Sequence, residues 1–154
     1  MVLCAGFHSG RQRLNVLGAL HATTRQLVTV VNQDYINAGT VATLLRQLAA
    51  TFSELPITLV LDNARYQHCR MIIELATQLG IELLFLPPYS PNLNLIERLW
   101  KFVKKECLYS KYYETFALFK QAILDCLAET QGKHKQKLAS LLTLKFQTFE
   151  NETL

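Results

Sequence analysis

The chain has 154 residues, half of them hydrophobic, with 16 Lys and Arg against 12 Asp and Glu and a formal net charge of +4. That length suits one domain burying about two-thirds of its unfolded surface, and the apolar content excludes wholesale disorder. No apolar run approaches the ~20 residues of a membrane span and "MVLCAGFHSGRQR" lacks a signal-peptide pattern, so the expected setting is cytoplasmic, with no membrane partner.

The modest net charge is a weak pointer to polyanions, and its placement says more. Between Met1 and Gln33 there is no Asp or Glu, while Arg11, Arg13 and Arg25 all fall there. This basic segment suits either contact with phosphates or an exposed, frayed terminus. Cys4, Cys69, Cys107 and Cys126 lie far apart with no CxxC or His–Cys spacing, which argues for reduced thiols over a zinc site. His8, His21 and His134 carry no metal-ligand spacing either.

In chain order, Leu14–Leu20 and Gln26–Val31 read as two strands around the hairpin-length connection "HATTR". "NAGTVATLLRQLAATF" places Val41, Leu44, Leu45 and Leu48 at the period of an amphipathic helix. "ITLVL", Ile57 to Leu61, is a continuous apolar run after Pro56, as in a strand covered on both faces. A helix from about Gln67 to Leu79, closed by Gly80, and a second buried strand, "IELLFL", follow. Beyond a proline-rich turn, Leu93, Ile96, Leu99, Trp100 and Val103 mark one face of a further helix. From Tyr112 onward the pattern gives two more helices, broken near "TQGKHKQK". In "YSKYYETF" the aromatic residues suit packing between helices, with stacking on bases as the alternative. Hairpin, helix, strand, helix, strand, helix, helix is the order of a mixed α/β domain.

Two acids stand out in this frame. Asp62 follows the buried strand directly, and in open α/β sheets polar residues at carboxyl strand ends face the ligand crevice. The alternative for Asp62 and Asn63 is a helix cap or a turn. Glu97 follows "LPPYSPNLNLIE", where Pro87, Pro88 and Pro91 stiffen the loop and Asn92 or Asn94 is available to cap the helix. Glu97, Lys101 and Lys104 share a helical face, opposite the apolar stripe. An ordinary helix-start glutamate with an i,i+4 ion pair explains the lysines but not the rigid loop. A carboxylate beside two lysines suits a metal ion working next to a phosphate backbone.

"LVLDNARYQH", and then "ELATQLGIELLFLPPYSPNLNLIERLWKFVKKE", resemble the core of DDE transposases, most closely the IS630 branch of the IS630/Tc1/mariner superfamily. The 34 residues between Asp62 and Glu97 agree with that superfamily's usual spacing, and "RLNVLGAL" is similar to its second strand. The resemblance spans Arg11 to about Glu114 and fades in the C-terminal helices. It implies an RNase H-like α/β fold, a mixed sheet flanked by helices, with Asp, Asp and Glu holding two Mg²⁺ ions, for which Mn²⁺ substitutes. Asp62 is then the second acid and metal ligand, and Glu97 the third. Asn63, His68, Ser90 and Asn94, together with Lys101 and Lys104, stand near the metal or the DNA. Leu95 replaces the Pro more usual in the family, which loosens the helix start. The implied partners are DNA, as transposon ends and target, and a second copy or an upstream transposase segment.

The first acid of the triad has no candidate, because no Asp or Glu precedes Asp34. Only 27 residues lie between Asp34 and Asp62, and Asp34 fits helix capping better. The expected domain is therefore a single RNase H-like unit over residues 1–154, truncated at its N-terminus and lacking its first strand, with C-terminal helices from about 112. Such a loss weakens metal binding and opens a sheet edge to another chain. Two functions stay open: the catalytic-domain fragment of a DNA transposase, inactive alone, or an inactive DNA-binding or dimerisation remnant. A ribonuclease or resolvase sharing the fold is a third.

Overall fold

The computed structural model describes residues 2–62, 64–65, 67–88 and 94–145, with the backbone alone at residues 2–5 and 8. Five strands and five helices follow one another as β1 (Val2–Ser9), β2 (Gln12–Leu20), β3 (Leu27–Asn32), α1 (Ala38–Thr51), β4 (Ile57–Leu61), α2 (Arg70–Leu79), β5 (Ile81–Phe85), α3 (Ile96–Cys107), α4 (Phe116–Ala128) and α5 (Lys135–Leu141). They build one sheet in the order β3-β2-β1-β4-β5. The first three strands are antiparallel, and β4 joins β1, and β5 joins β4, in parallel.

The opening residues, for which the sequence pattern gives no strand, join the sheet. Val2–Ser9 forms β1 in the middle of the sheet, paired with β2 from Val2↔Ala19 to Ser9↔Gln12. Gly10 turns that hairpin at φ +60, a backbone region that glycine enters without strain. No Asp or Glu comes with the new strand, so it does not supply a third acid.

Helices cover both faces of the sheet. Along β2 the side chains alternate: Leu14, Val16 and Leu20 join one core with α3, α4 and α5, while Leu17 and Ala19 join another with α1, β4 and α2. Asn15, on the α1 side and fully buried, donates to Asn32 Oδ1 at 2.9 Å and to the Asp34 carbonyl at 3.0 Å. Asp34 thus contributes its backbone and is not a cap. Asn37 caps α1 in a reciprocal box with Thr40. α2 starts at Arg70, three residues later than expected, and ends at Gly80 with φ +70.

α3 lies on β2 with Ile96, Leu99, Trp100 and Val103 buried. Gly18 makes room for it: a Cβ there would meet Trp100 Cζ2 and Cη2 at 2.9 Å and Ile96 Cδ1 at 3.2 Å. Leu95, where a looser helix start was expected, is fully buried in the same core. At the other end of α3, Cys107 donates to the Ala122 carbonyl at 3.5 Å. A hydrogen bond between the Cys107 and Cys126 thiols draws the first down and pushes the second up, so two cysteines distant in sequence are neighbours in space. The aromatic stretch divides. Tyr113 donates to the Cys107 carbonyl at 2.6 Å and, with Phe116, packs on Phe119, whereas Tyr109 and Tyr112 are exposed.

Gly18→Ala is expected to destabilise the protein by about 1–3 kcal/mol through overpacking against Trp100. Urea unfolding measures this, and an unchanged midpoint would refute the tight contact.

Candidate functional site

β4 delivers Asp62 to its carboxyl end, where the chain leaves the sheet. The side chain is half-buried and Oδ1 accepts the backbone N–H of Ala64 at 3.3 Å, so the residue shapes its own turn. It does not cap α2, which begins eight residues later at a Cys69 N-cap with no side-chain hydrogen bond. Burial pushes the Asp62 carboxyl above its usual range, and the Ala64 N–H and the Gln67 amide draw it only partly back. Gln67 is fully buried and was not among the expected site residues. Its amide acts on Asp62, yet neither of its polar atoms makes a hydrogen bond of good geometry among the described residues. The only sequence signal for it is a polar residue inside "ARYQH".

Glu97 lies in the first turn of α3, partly buried. Its N–H donates to the Asn94 carbonyl at 3.2 Å, and Asn94 is itself buried. The N-cap position belongs to Leu95 and not to Asn94. Asn92 falls outside the described residues. The Glu97 carboxyl is also pushed up. Burial is the largest cause, Lys101 and Lys104 oppose it, and the charge of Asp62 adds to it. Through that last effect the two acids, 35 residues apart in sequence, come near enough for the charge of Asp62 to act on Glu97.

The other expected residues divide. Lys101 and Lys104 act on Glu97 from the same helix, Lys101 exposed and Lys104 partly so. His68 is exposed and stacks on Phe85, at the end of β5, with ring centroids 4.2 Å apart. Asn63 and Ser90 lie outside the described residues. No cluster of three or more His, Cys, Asp or Glu able to hold a metal occurs among the described residues. Two partly buried carboxylates, each resisting ionisation, do fit a divalent cation, since hard oxygen donors are what such an ion takes. The site offers two acids toward it.

Residues 8–120 match the DDE superfamily endonuclease family. The chain belongs to it. Two solved structures share the fold of this DDE domain. One, a chain of the simian T-cell lymphotropic virus intasome in complex with PP2A regulatory subunit B56 gamma, has a TM-score of 0.64 at 14% identity, over 86% of this chain and 47% of that one. The domain thus spans about half the length of that intasome chain. The other, the catalytic core domain of BIV integrase, has a TM-score of 0.59 at 21% identity, over 84% of this chain and 82% of that one. At such identities the likeness speaks for the fold, which is the RNase H-like mixed sheet of an integrase catalytic core. No curated protein matches this sequence. No helix among the described residues is long and apolar enough to cross a membrane.

Both carboxyls titrate higher in the folded than in the unfolded chain, so the folded state binds the extra protons. The stability this gives is present below the unfolded carboxylate range and is lost as pH rises through the raised values. Asp62→Asn and Glu97→Gln are therefore expected to match the parent near about pH 4 and to melt higher than it by about pH 7. Thermal scans across that interval check the sign; a gap that closes as pH rises would contradict it.

Proposed function

We propose that this DDE domain is the catalytic-domain portion of an IS630-branch DNA transposase, and that Asp62 and Glu97 are two of its three catalytic acids. The observation that carries this reading is that Asp62, at the carboxyl end of β4, and Glu97, in the first turn of α3, lie near enough for the charge of Asp62 to act on the Glu97 carboxyl. The reaction is phosphodiester cleavage and strand transfer at transposon ends. Asp62 and Glu97 hold a divalent ion, Mg²⁺ with Mn²⁺ as substitute, which when bound supplies Lewis-acid stabilisation of phosphoryl oxygens. Gln67 orients Asp62 from its buried side. Lys101 and Lys104 balance the charge of Glu97 and meet the phosphates of DNA. His68, Asn94, Asn63 and Ser90 surround the site in this reading.

DNA, as transposon ends and target, is the main partner, and a second copy or an upstream transposase segment the other. Two acids hold a metal less firmly than three, so the chain on its own is expected to bind the ion but to cut little. The competing reading, a DNA-binding or dimerisation remnant, draws on the absence of an acid from β1.

Thermal unfolding with added Mn²⁺ separates the two. Binding to the folded state stabilises it by about 2.7 kcal/mol at a hundredfold excess over Kd, and Asp62→Asn or Glu97→Gln is expected to remove most of that gain. A remnant shows no such gain, while its salt-sensitive DNA binding survives Asp62→Ala and Glu97→Ala.

A further inference from the structure

A groove between α3 and α5 encloses a cavity of about 370 Å³, with Arg98, Lys101, Phe102 and Lys105 on one wall and Lys137 and Ser140 on the other. Arg98, Lys101 and Lys105 stand at i, i+3 and i+7, so one stripe of α3 supplies three of these cations. Among the described residues that line the groove there is no Asp or Glu. Phe102 is buried at its base, and Lys137 Nζ stands 5.5 Å above the ring centroid. His134 meets the same ring edge-on with centroids 5.1 Å apart, so α5 is seated firmly on α3.

The cations differ in what already engages them. Arg98 gives its guanidinium to the backbone carbonyls of Leu141, Thr143 and Lys145 and so builds the wall. Lys137 Nζ lies 2.8 Å from Glu106 Oε1 and holds that carboxyl below its usual range. An ammonium has three donors, and Glu106 takes one of them. Lys105 is exposed and makes no ion pair or hydrogen bond among the described residues. Lys101 is exposed as well, and its charge acts on Glu97. It therefore belongs to both places, and the groove adjoins the acid pair. Lysines on a convex helix face are mostly solvated, but cations gathered along a concave one focus their potential. Phe102 is covered too deeply to stack on a base, which leaves charge as the means of recognition.

We propose that the α3–α5 groove holds the phosphodiester backbone of the DNA strand that passes the acid pair, with Lys101, Lys105 and Lys137 each meeting a phosphate. This rests on the reading of Asp62 and Glu97 as the cutting site and gives the path by which the strand leaves it. From Glu97 to Lys105 α3 rises by about 12 Å. At about 3.4 Å of duplex axis per nucleotide, Lys105 meets a phosphate roughly three or four nucleotides from the one at the acids. Contacts of this kind position the strand and are indifferent to its bases.

Fluorescence anisotropy with short labelled duplexes of two unrelated sequences, in EDTA and across a salt series, tests this. Lys105→Gln and Lys137→Gln are each expected to weaken binding several-fold on both sequences and to lower the slope of log K against log salt by about one. Arg46→Gln, exposed on α1 across the sheet, is expected to leave the slope unchanged. Lys105→Gln removes an exposed, unpaired side chain, so it decides the matter even where Lys137→Gln, which breaks the pair with Glu106, perturbs the fold. An unchanged slope in Lys105→Gln, a loss confined to one sequence, or an equal loss in Arg46→Gln would overturn the proposal. Displacement of the duplex by inorganic phosphate at matched ionic strength would assign the groove to a free anion and overturn it too. The effect of Lys105→Gln is expected to be the same in an Asp62→Asn background. EDTA keeps divalent metal out, so a failure here stays distinct from a failure of the metal site.

Discussion

The seating of α3 on β2 is the contact from which the site follows. Ile96, Leu99, Trp100 and Val103 are all buried, and Trp100 approaches so closely that only glycine fits beneath it at position 18. Burying a large apolar side chain contributes about 1.5–3 kcal/mol, whereas a helix dipole acting on a first-turn carboxylate contributes about 0.3–1 kcal/mol. Packing therefore sets the rotation of the helix, and the rotation sets where Glu97 points. With its apolar stripe committed to the sheet, α3 turns Glu97 toward the end of β4, where Asp62 emerges.

Local patterning carried much of this architecture. Ile57–Leu61 has the bounds its β-branched-rich run predicts, although only one face is well covered, with Leu59 and Leu61 buried and Thr58 exposed. Gly80 ends α2 where expected, since the left-handed turn there favours glycine. Asp62 and Glu97 stood out for the same kind of reason, one as a strand-end acid and the other on the polar flank of an amphipathic helix. Other features depend on distant partners and leave no local trace. "VLCAGFHS" becomes a strand because β2 and β4 receive it. Gln67 matters through its position beneath Asp62, and Cys107 meets Cys126 through the packing of α3 on α4.

The site is also where the fold gives up comfort. Asp62 and Glu97 are partly buried and each resists ionisation, the buried Gln67 amide lacks well-formed hydrogen bonds among the described residues, and so does the indole N–H of Trp100. Away from the site, the Asn15 amide N–H group bridges two strands and a loop while its Oδ1 makes no hydrogen bond among the described residues, and Thr130 donates to the Leu127 carbonyl. Two carboxyls that resist ionisation beside a buried amide without well-formed hydrogen bonds are the usual trade between stability and chemistry.

Arg98, the residue after Glu97, donates through its guanidinium to the carbonyls of Leu141, Thr143 and Lys145, at 3.4, 2.7 and 2.6 Å. One side chain thus clamps the segment leaving α5 onto the first turn of α3. Tension applied to the chain beyond Lys145, by a tethered neighbour or a moving assembly, is delivered through that fork to the residue beside the acid. The exit of the polypeptide and the aim of Glu97 are in this way mechanically linked, although α4 and α5 separate them in sequence.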